Sequence, residues 1–287
     1  MAPSSPTAIL LVACPDQRGI VAALAGFIAA HNGNIIALDQ YVDAAESAFF
    51  ARMEWELAGF GVPLDQFAAY FQPLAGPRRI AWRLHRSDQR LRMAVLVSKQ
   101  VHCLYDILAR GESGEWPADL ALVVSNHPDH RGIVERHGLP FHHVPVPAGD
   151  KAQAEARQIA LLKEAGVDFV VLARYMQILG PAFVQAFPMR ILNIHHSFLP
   201  AFAGARPYQA AHDRGVKIVG ATAHYVTEKL DEGPIIEQDV IRVSHRQGVD
   251  DLVRLGRDLE KIVLSRAIYW HVHHRILVYK NRTVVFS

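Results

Sequence analysis

Short apolar runs and segments of helical period alternate along this chain in two different orders, and the change of order divides it. In the first part Thr7 to Ala13 is an apolar run rich in Ile, Leu and Val, the pattern of a buried strand. Cys14-Pro15-Asp16-Gln17-Arg18-Gly19 punctuates it as a turn and helix start. Ile20, Val21, Leu24, Phe27 and Ile28 then recur at helical spacing, with a stop near Asn32-Gly33. Asn34 to Val42 and Ser47 to Leu57 read as paired strands around a turn at Asp43 to Glu46. Pro63 to Phe71 reads as a second helix and Arg79 to Leu84 as a last strand. This βαββαβ order predicts a ferredoxin-like domain over residues 1–84.

Residues 85–91 are polar enough to serve as a linker. From there strands alternate with helices, which predicts a Rossmann-like, mostly parallel α/β domain over residues 92–287. The expected strands are Arg92 to Val97, Ala118 to Ser125, Phe141 to Val144, Phe169 to Ala173, Ile191 to His195, Val216 to Tyr225 and Ile235 to Arg242. The expected helices are His102 to Arg110, Arg131 to His137, Lys151 to Ala165, Pro181 to Ala186, Pro207 to Arg214 and Val249 to His274. His271, His273 and His274 are expected to complement the negative end of the last helix or to lie on the surface.

Composition narrows the class. The chain has 287 residues, 51% hydrophobic and 20% charged, as in ordinary globular proteins. No apolar run approaches the roughly 18 to 20 residues that span a bilayer, and Met1 to Thr7 lacks the pattern of a secretory signal. Two cysteines, Cys14 and Cys103, fit a reducing compartment, so a cytoplasmic location is expected. A net charge of +2 gives no reason to expect nucleic acid or a membrane as partner. The basic stretch Arg78 to Arg92 reads as solvated linker.

In open α/β sheets, ligands bind beyond the carboxyl ends of the strands. That rule points to Asn126-His127, Arg174-Tyr175, Asn193-Ile194-His195 and the loop after Tyr225. Strand alternation puts Asn193 and His195 on one face, where an amide donor and an imidazole can stabilise the oxygen of a carbonyl under attack. Asp231, in the polar loop Thr227 to Pro234, offers a carboxylate to the same cleft, completing an acyl-transfer set. A zinc hydrolase is the competing reading, on His195, His196, His224 and Asp231. Against it, neighbouring strand residues 195 and 196 should point to opposite faces, and there is no helical His-x-x-x-His pair. No metal is expected.

Asn193-Ile194-His195-His196-Ser197-Phe198-Leu199-Pro200 and Leu230-Asp231-Glu232-Gly233-Pro234-Ile235-Ile236 resemble the signature of the formyltetrahydrofolate-dependent formyl transferase family. Leu172 to Leu179, Gly204-Ala205-Arg206-Pro207-Tyr208 and Gly220 to Tyr225 match as well. The first block, through Asp16-x-x-Gly19 and Gly33-Asn34-Ile35, resembles an ACT domain. An ACT-like block ahead of that catalytic domain is similar to the arrangement in the formyltetrahydrofolate deformylases. The resemblance runs over nearly the whole chain. It implies hydrolysis of 10-formyltetrahydrofolate to formate and tetrahydrofolate, with no cofactor besides that folate substrate.

The resemblance assigns the roles. Asn193 polarises the formyl oxygen, His195 helps hold the oxyanion, and Asp231 orders the attacking water and shuttles protons. Met176, Gln177, Ile178 and Leu179, with Val226, Thr227, Glu228, Lys229 and Leu230, line the pterin pocket; Gln177 stands where many relatives carry Arg. Lys99, His102, His196 and Ser197 are further candidates on the substrate side. The segment Ser98 to Cys103 has no glycine to let backbone amides cradle a phosphate, which favours water as acceptor over a phosphorylated amine. Formyl transfer to a small amine, and a non-catalytic ACT-type amino-acid sensor, are the alternatives. Family habit also implies a homo-oligomer and an amino-acid effector at an interface between subunits near Asp16, Gly19 and Asn34.

Overall fold

The computed structural model describes residues 5–147, 149–200 and 207–287, and they divide into two compact units. Of the family-like segment 204–208, residues 204–206 lie outside the described residues. No helix among the described residues is long and apolar enough to cross a membrane.

The first unit contains Met1–Gln89, His273–Tyr279 and Val284–Ser287. Its strands β1 (Thr7–Pro15), β2 (Ile35–Asp43), β3 (Ala48–Glu56) and β4 (Ala81–Arg86) form an antiparallel sheet in the order β2-β3-β1-β4. Helices α1 (Ile20–Ala30) and α2 (Phe67–Ala75) complete the expected βαββαβ order. Period-two alternation decides the packing. Leu10 and Val12, with Met53 and Trp55, bury against Leu24, Phe27, Phe67 and Phe71 of the helices. Leu11, Ala48 and Phe50, one residue out of phase, face the other way.

Three expectations shift here. Helix α2 starts at Phe67 because residues 63–66 close tight turns, Gln66 N–H bonding the Pro63 carbonyl. The helix then runs through Pro73, carried by Phe67, Phe71 and Ala75 at the buried i, i+4, i+8 positions. Strand β4 extends to Arg86, paired with Ala8 of β1, so the basic stretch is largely ladder and the connection to the second unit is shorter.

The end of the chain departs further. The last helix, α8 (Val249–Val272), stops before His274, and β12 (Ile276–Tyr279) and β13 (Arg282–Val285) pair as an unforeseen hairpin. Leu277, Tyr279, Val284 and Phe286 cover Leu11, Ala48 and Phe50, removing from water a face too apolar to be left exposed. The last turn of α8 also differs from expectation. His271 is half-buried, its Nδ1 2.8 Å from the Tyr225 hydroxyl and its ring 4.6 Å from that of Phe169. His274 stacks on His85 at 3.8 Å, and burial pushes His85 down to about 4.

The second unit comprises Arg90–Val272 and Lys280–Thr283. Its sheet, in the order β11-β10-β9-β8-β5-β6-β7, is built from β5 (Leu91–Val97), β6 (Ala118–Ser125), β7 (Phe141–His143), β8 (Phe169–Ala173), β9 (Ile191–His195), β10 (Ile218–Tyr225) and β11 (Ile235–Arg242). The strands from β9 across to β7 are parallel, and β10 and β11 join antiparallel. Between them run α3 (His102–Glu112), α4 (Arg131–Arg136), α5 (Lys151–Glu164), α6 (Pro181–Ala186) and α7 (Pro207–Arg214). The central strands are apolar on both faces, as a sheet covered by helices requires. The chain leaves β5 toward β6 on one side and returns to β8 on the other, which opens a crevice at the carboxyl ends of β5 and β8.

Phe286 is only 5% exposed, and deleting a buried phenylalanine typically costs about 3–5 kcal/mol. Phe286→Ala should lower the stability of the first unit by that order in urea denaturation; an unchanged midpoint would mean that the hairpin does not stabilise the sheet.

Candidate active site

A cavity of about 450 Å³ opens beyond the carboxyl ends of β8 and β9. Two segments wall it, both pinned at their bases. After β8, the amide of Met176 donates to Ser98 Oγ at 3.0 Å, and that hydroxyl donates to Asn126 Oδ1 at 2.7 Å. At the far end of the same loop, the Gly180 amide donates to Glu155 Oε1 at 2.8 Å. Met176 and Ile178 between these pins are more than half exposed, as is Leu230 across the cavity. Apolar side chains held open to water around one cavity are suited to a flat, partly apolar ring.

The second wall is the loop between β10 and β11. The Val226 amide bonds the Ile191 carbonyl and the Tyr225 amide bonds the Pro234 carbonyl. A Cβ on Gly233 would overlap the Tyr225 carbonyl oxygen, so only glycine lets the chain return there. The closure brings Asp231, at a φ of 55°, over the end of β9.

Asn193, His195 and Asp231 meet here. His195 Nδ1 lies 3.4 Å from Asp231 Oδ2, and His224 Nε2 lies 3.7 Å from Oδ1. Asn193 Nδ2 donates to His224 Nε2 at 3.1 Å. His224 Nδ1 sits 2.9 Å from the Tyr225 carbonyl, which can only accept, so Nδ1 carries a proton, and Nε2 accepts from Asn193 in the neutral ring or donates toward Asp231 in the protonated one. His195 first, then His224, hold the Asp231 carboxyl well below the usual carboxylate range. His195 Nε2 is buried among the cavity-lining residues with no hydrogen-bond partner. A buried polar atom left so costs about 1–3 kcal/mol, a cost a ligand oxygen would remove.

His196 corrects one expectation. It lies just past the end of β9, where alternation no longer applies, and its ring sits 5.2 Å from that of His195, both lining the cavity. Burial, with the Arg174 charge second, pushes His196 down to about 4, so it is neutral at pH 7. Among the described residues, the one group whose metal-ligating atoms all lie within 4.8 Å is His102, Cys103 and Glu260, not the histidines of the zinc reading. Burial raises the Cys103 thiol well above its ordinary value, away from the thiolate a metal needs.

The chain matches the formyl transferase family over residues 91–268. A formyltetrahydrofolate deformylase of Synechocystis is 55% identical over 281 residues, covering 98% of this chain and 99% of its own. The crystal structure of a formyltetrahydrofolate deformylase from Pseudomonas syringae pv. tomato is similar at a TM-score of 0.96 and 47% identity, covering 100% of this chain and 96% of that one. The chain belongs to the formyltetrahydrofolate deformylase family. The glycinamide ribonucleotide transformylase 1 of Symbiobacterium toebii is more distant: TM-score 0.66 and 35% identity, over 69% of this chain and 95% of its own.

In this deformylase-family chain the cavity lining takes in Met176, Gln177, Ile178, Leu179, Val226, Thr227, Glu228, Lys229 and Leu230 with Asn193, His195, His196 and Asp231. Lys99 is exposed and outside the lining. His102 is engaged elsewhere, its Nε2 2.7 Å from Glu260 Oε2. Ser197 is buried behind the site, its carbonyl accepting from Thr222 Oγ1. Asp16, Gly19 and Asn34 are not gathered within one chain. The Asp16 amide bonds the Ser47 carbonyl, whereas the Asn34 carbonyl accepts from the Glu56 amide, at the opposite end of β3. Reasoning on residues missed the part His224 plays beside Asn193; the antiparallel register His224↔Asn193 puts it there, and no local pattern announces it.

A carboxyl whose pKa is depressed on folding stabilises the native state above its unfolded value, about 3.9, and that contribution disappears as pH falls through the lower folded value. The stability of the wild type relative to Asp231→Asn should therefore be flat above about pH 5 and fall steadily at more acid pH. Urea denaturation at a series of pH values measures this, and a flat difference throughout would mean that Asp231 is not held by the two histidines.

Proposed function

We propose that hydrolysis of 10-formyltetrahydrofolate to formate and tetrahydrofolate is carried out in this chain by Asn193, His195 and Asp231 around a single formyl carbon. The observation that carries the assignment is the unpartnered, buried Nε2 of His195 in a cavity that also holds the Asn193 amide and the Asp231 carboxylate.

The pterin ring lies between Met176 to Leu179 and Val226 to Leu230, its apolar faces against Met176, Ile178 and Leu230. The formyl group then faces β9. Asp231, ionised at any working pH, orients a water and takes its proton as the oxygen attacks the formyl carbon. A carboxylate so acidic is a weak base in the open site; folate covering the cavity removes water from it and raises its basicity. The tetrahedral oxyanion accepts hydrogen bonds from Asn193 Nδ2 and from protonated His195 through Nε2. As the intermediate collapses, the bond from the formyl carbon to the folate nitrogen breaks, and that nitrogen takes the proton relayed by Asp231. Asp231 also fixes His195 by accepting from Nδ1, which leaves Nε2 directed at the substrate.

Loss of one oxyanion donor typically lowers turnover by ~100- to 1,000-fold. Asn193→Ala should lose about that much formate release, measured in a coupled assay, with an unchanged far-UV spectrum; near-wild-type turnover would remove Asn193 from the mechanism. Asp231→Asn should do worse, because general-base help worth ~10²- to 10⁴-fold is lost along with water placement. If its kcat keeps the pH dependence of the wild type, the carboxylate is not the proton acceptor.

A further inference from the structure

Arg174 follows β8 and is 8% exposed, yet its backbone has a φ of 60°. An arginine in the left-handed region is strained where glycine would not be, and such strain persists where a side chain is needed. The side chain turns to the buried Glu260 of α8, with Nε 3.5 Å from Oε2. Glu260, 1% exposed, already holds two closer partners: His102 Nε2 at 2.7 Å, and the Tyr208 hydroxyl, which donates to Oε1 at 2.8 Å. A Cβ on Gly256 would collide with the Tyr208 ring and hydroxyl, so α8 gives up a side chain to admit that tyrosine. Nε and Nη1 of Arg174 are buried without hydrogen-bond partners. A buried charge satisfied this poorly is weak evidence of a stability role, and Arg174 and His196 both line the catalytic cavity.

We propose that Arg174 determines acceptor specificity: its guanidinium, held by Glu260, fills and charges the space beside His196 in which an amine nucleophile would approach the formyl carbon, leaving room for water alone. Bulk excludes an amine larger than water, and the positive charge repels the ammonium form in which most amines arrive. Specificity of this kind is obtained by an element that obstructs the competitor. The inference rests on the hydrolytic reading above. With Arg174 removed, the nitrogen of a neutral amine can bond to the formyl carbon. The bond from that carbon to the folate nitrogen breaks, and the proton lost by the amine passes by way of Asp231 to the folate nitrogen. The products are a formamide and tetrahydrofolate, with no other reagent consumed.

The test supplies 10-formyltetrahydrofolate and excess glycinamide to the full-length wild type, Arg174→Gly and Arg174→Ser, and measures N-formylglycinamide by mass spectrometry against formate. Glycine also relieves the backbone strain, which favours folding of that variant; serine serves if it does not fold. The ratio of formylated amine to formate should rise at least ~10-fold in either variant, the low end of what one pocket contact discriminates, while the wild type makes formate alone. An unmoved ratio in a folded variant that still releases formate would overturn the inference, as would N-formylglycinamide made by the wild type in proportion to the amine supplied. Absence of formate even from the wild type would instead sink the hydrolytic reading itself.

Discussion

The site depends on a carboxylate held against two imidazoles by three separate pieces of chain. His195 comes from the end of β9 and His224 from β10, while Asp231 is carried back to both by a loop that only Gly233 can close. The contacts from His195, and then His224, keep Asp231 charged, and its charge in turn fixes which nitrogen of His195 faces the cavity. Asn193 lies against the same arrangement, its Nδ2 3.1 Å from the His224 nitrogen that also faces Asp231, while the other His224 nitrogen is committed to a backbone carbonyl. Loss of any one contact would loosen the other two.

Such a set can be held to within a few tenths of an ångström only if its supports are stiff. The hydrogen bonds of Ser98, Glu155 and Thr222 to backbone groups of the flanking loops provide that stiffness. The apolar cluster of Leu96, Leu122, Val170, Leu172 and Phe183 beneath the sheet provides the base. The exposed Met176, Ile178 and Leu230 are the counterpart: apolar surface left in water at a cost of roughly 25 cal/mol per Å², which a flat ligand would regain by covering it.

Behind the site, Glu260 gathers His102, Tyr208 and Arg174 in a region where charges are costly to bury. Helix α8 pays twice for it, with a carboxylate on its buried face and a glycine in its interior. The arrangement shows that the cavity wall on this side is charged, and the left-handed backbone of Arg174 shows that its position was not chosen for local ease.

Local sequence determined what periodicity can encode. Alternation of apolar residues specifies both element orders and most strand limits, and the shared parity of Asn193 and His195 is enough to put them on one face of β9. The polar loop around Asp231 was legible because its composition breaks sharply with the strands beside it. Tertiary structure decided what depends on distant partners. Register across β9 and β10 brought His224 to Asn193, and the end of a strand freed His196 from the alternation that should have turned it away. The C-terminal hairpin formed because a sheet face far earlier in the chain needed covering. The fate of Arg174 and Glu260, one directly after a strand and the other in an amphipathic helix, likewise followed from packing, because no local pattern specifies which buried position will meet an opposite charge.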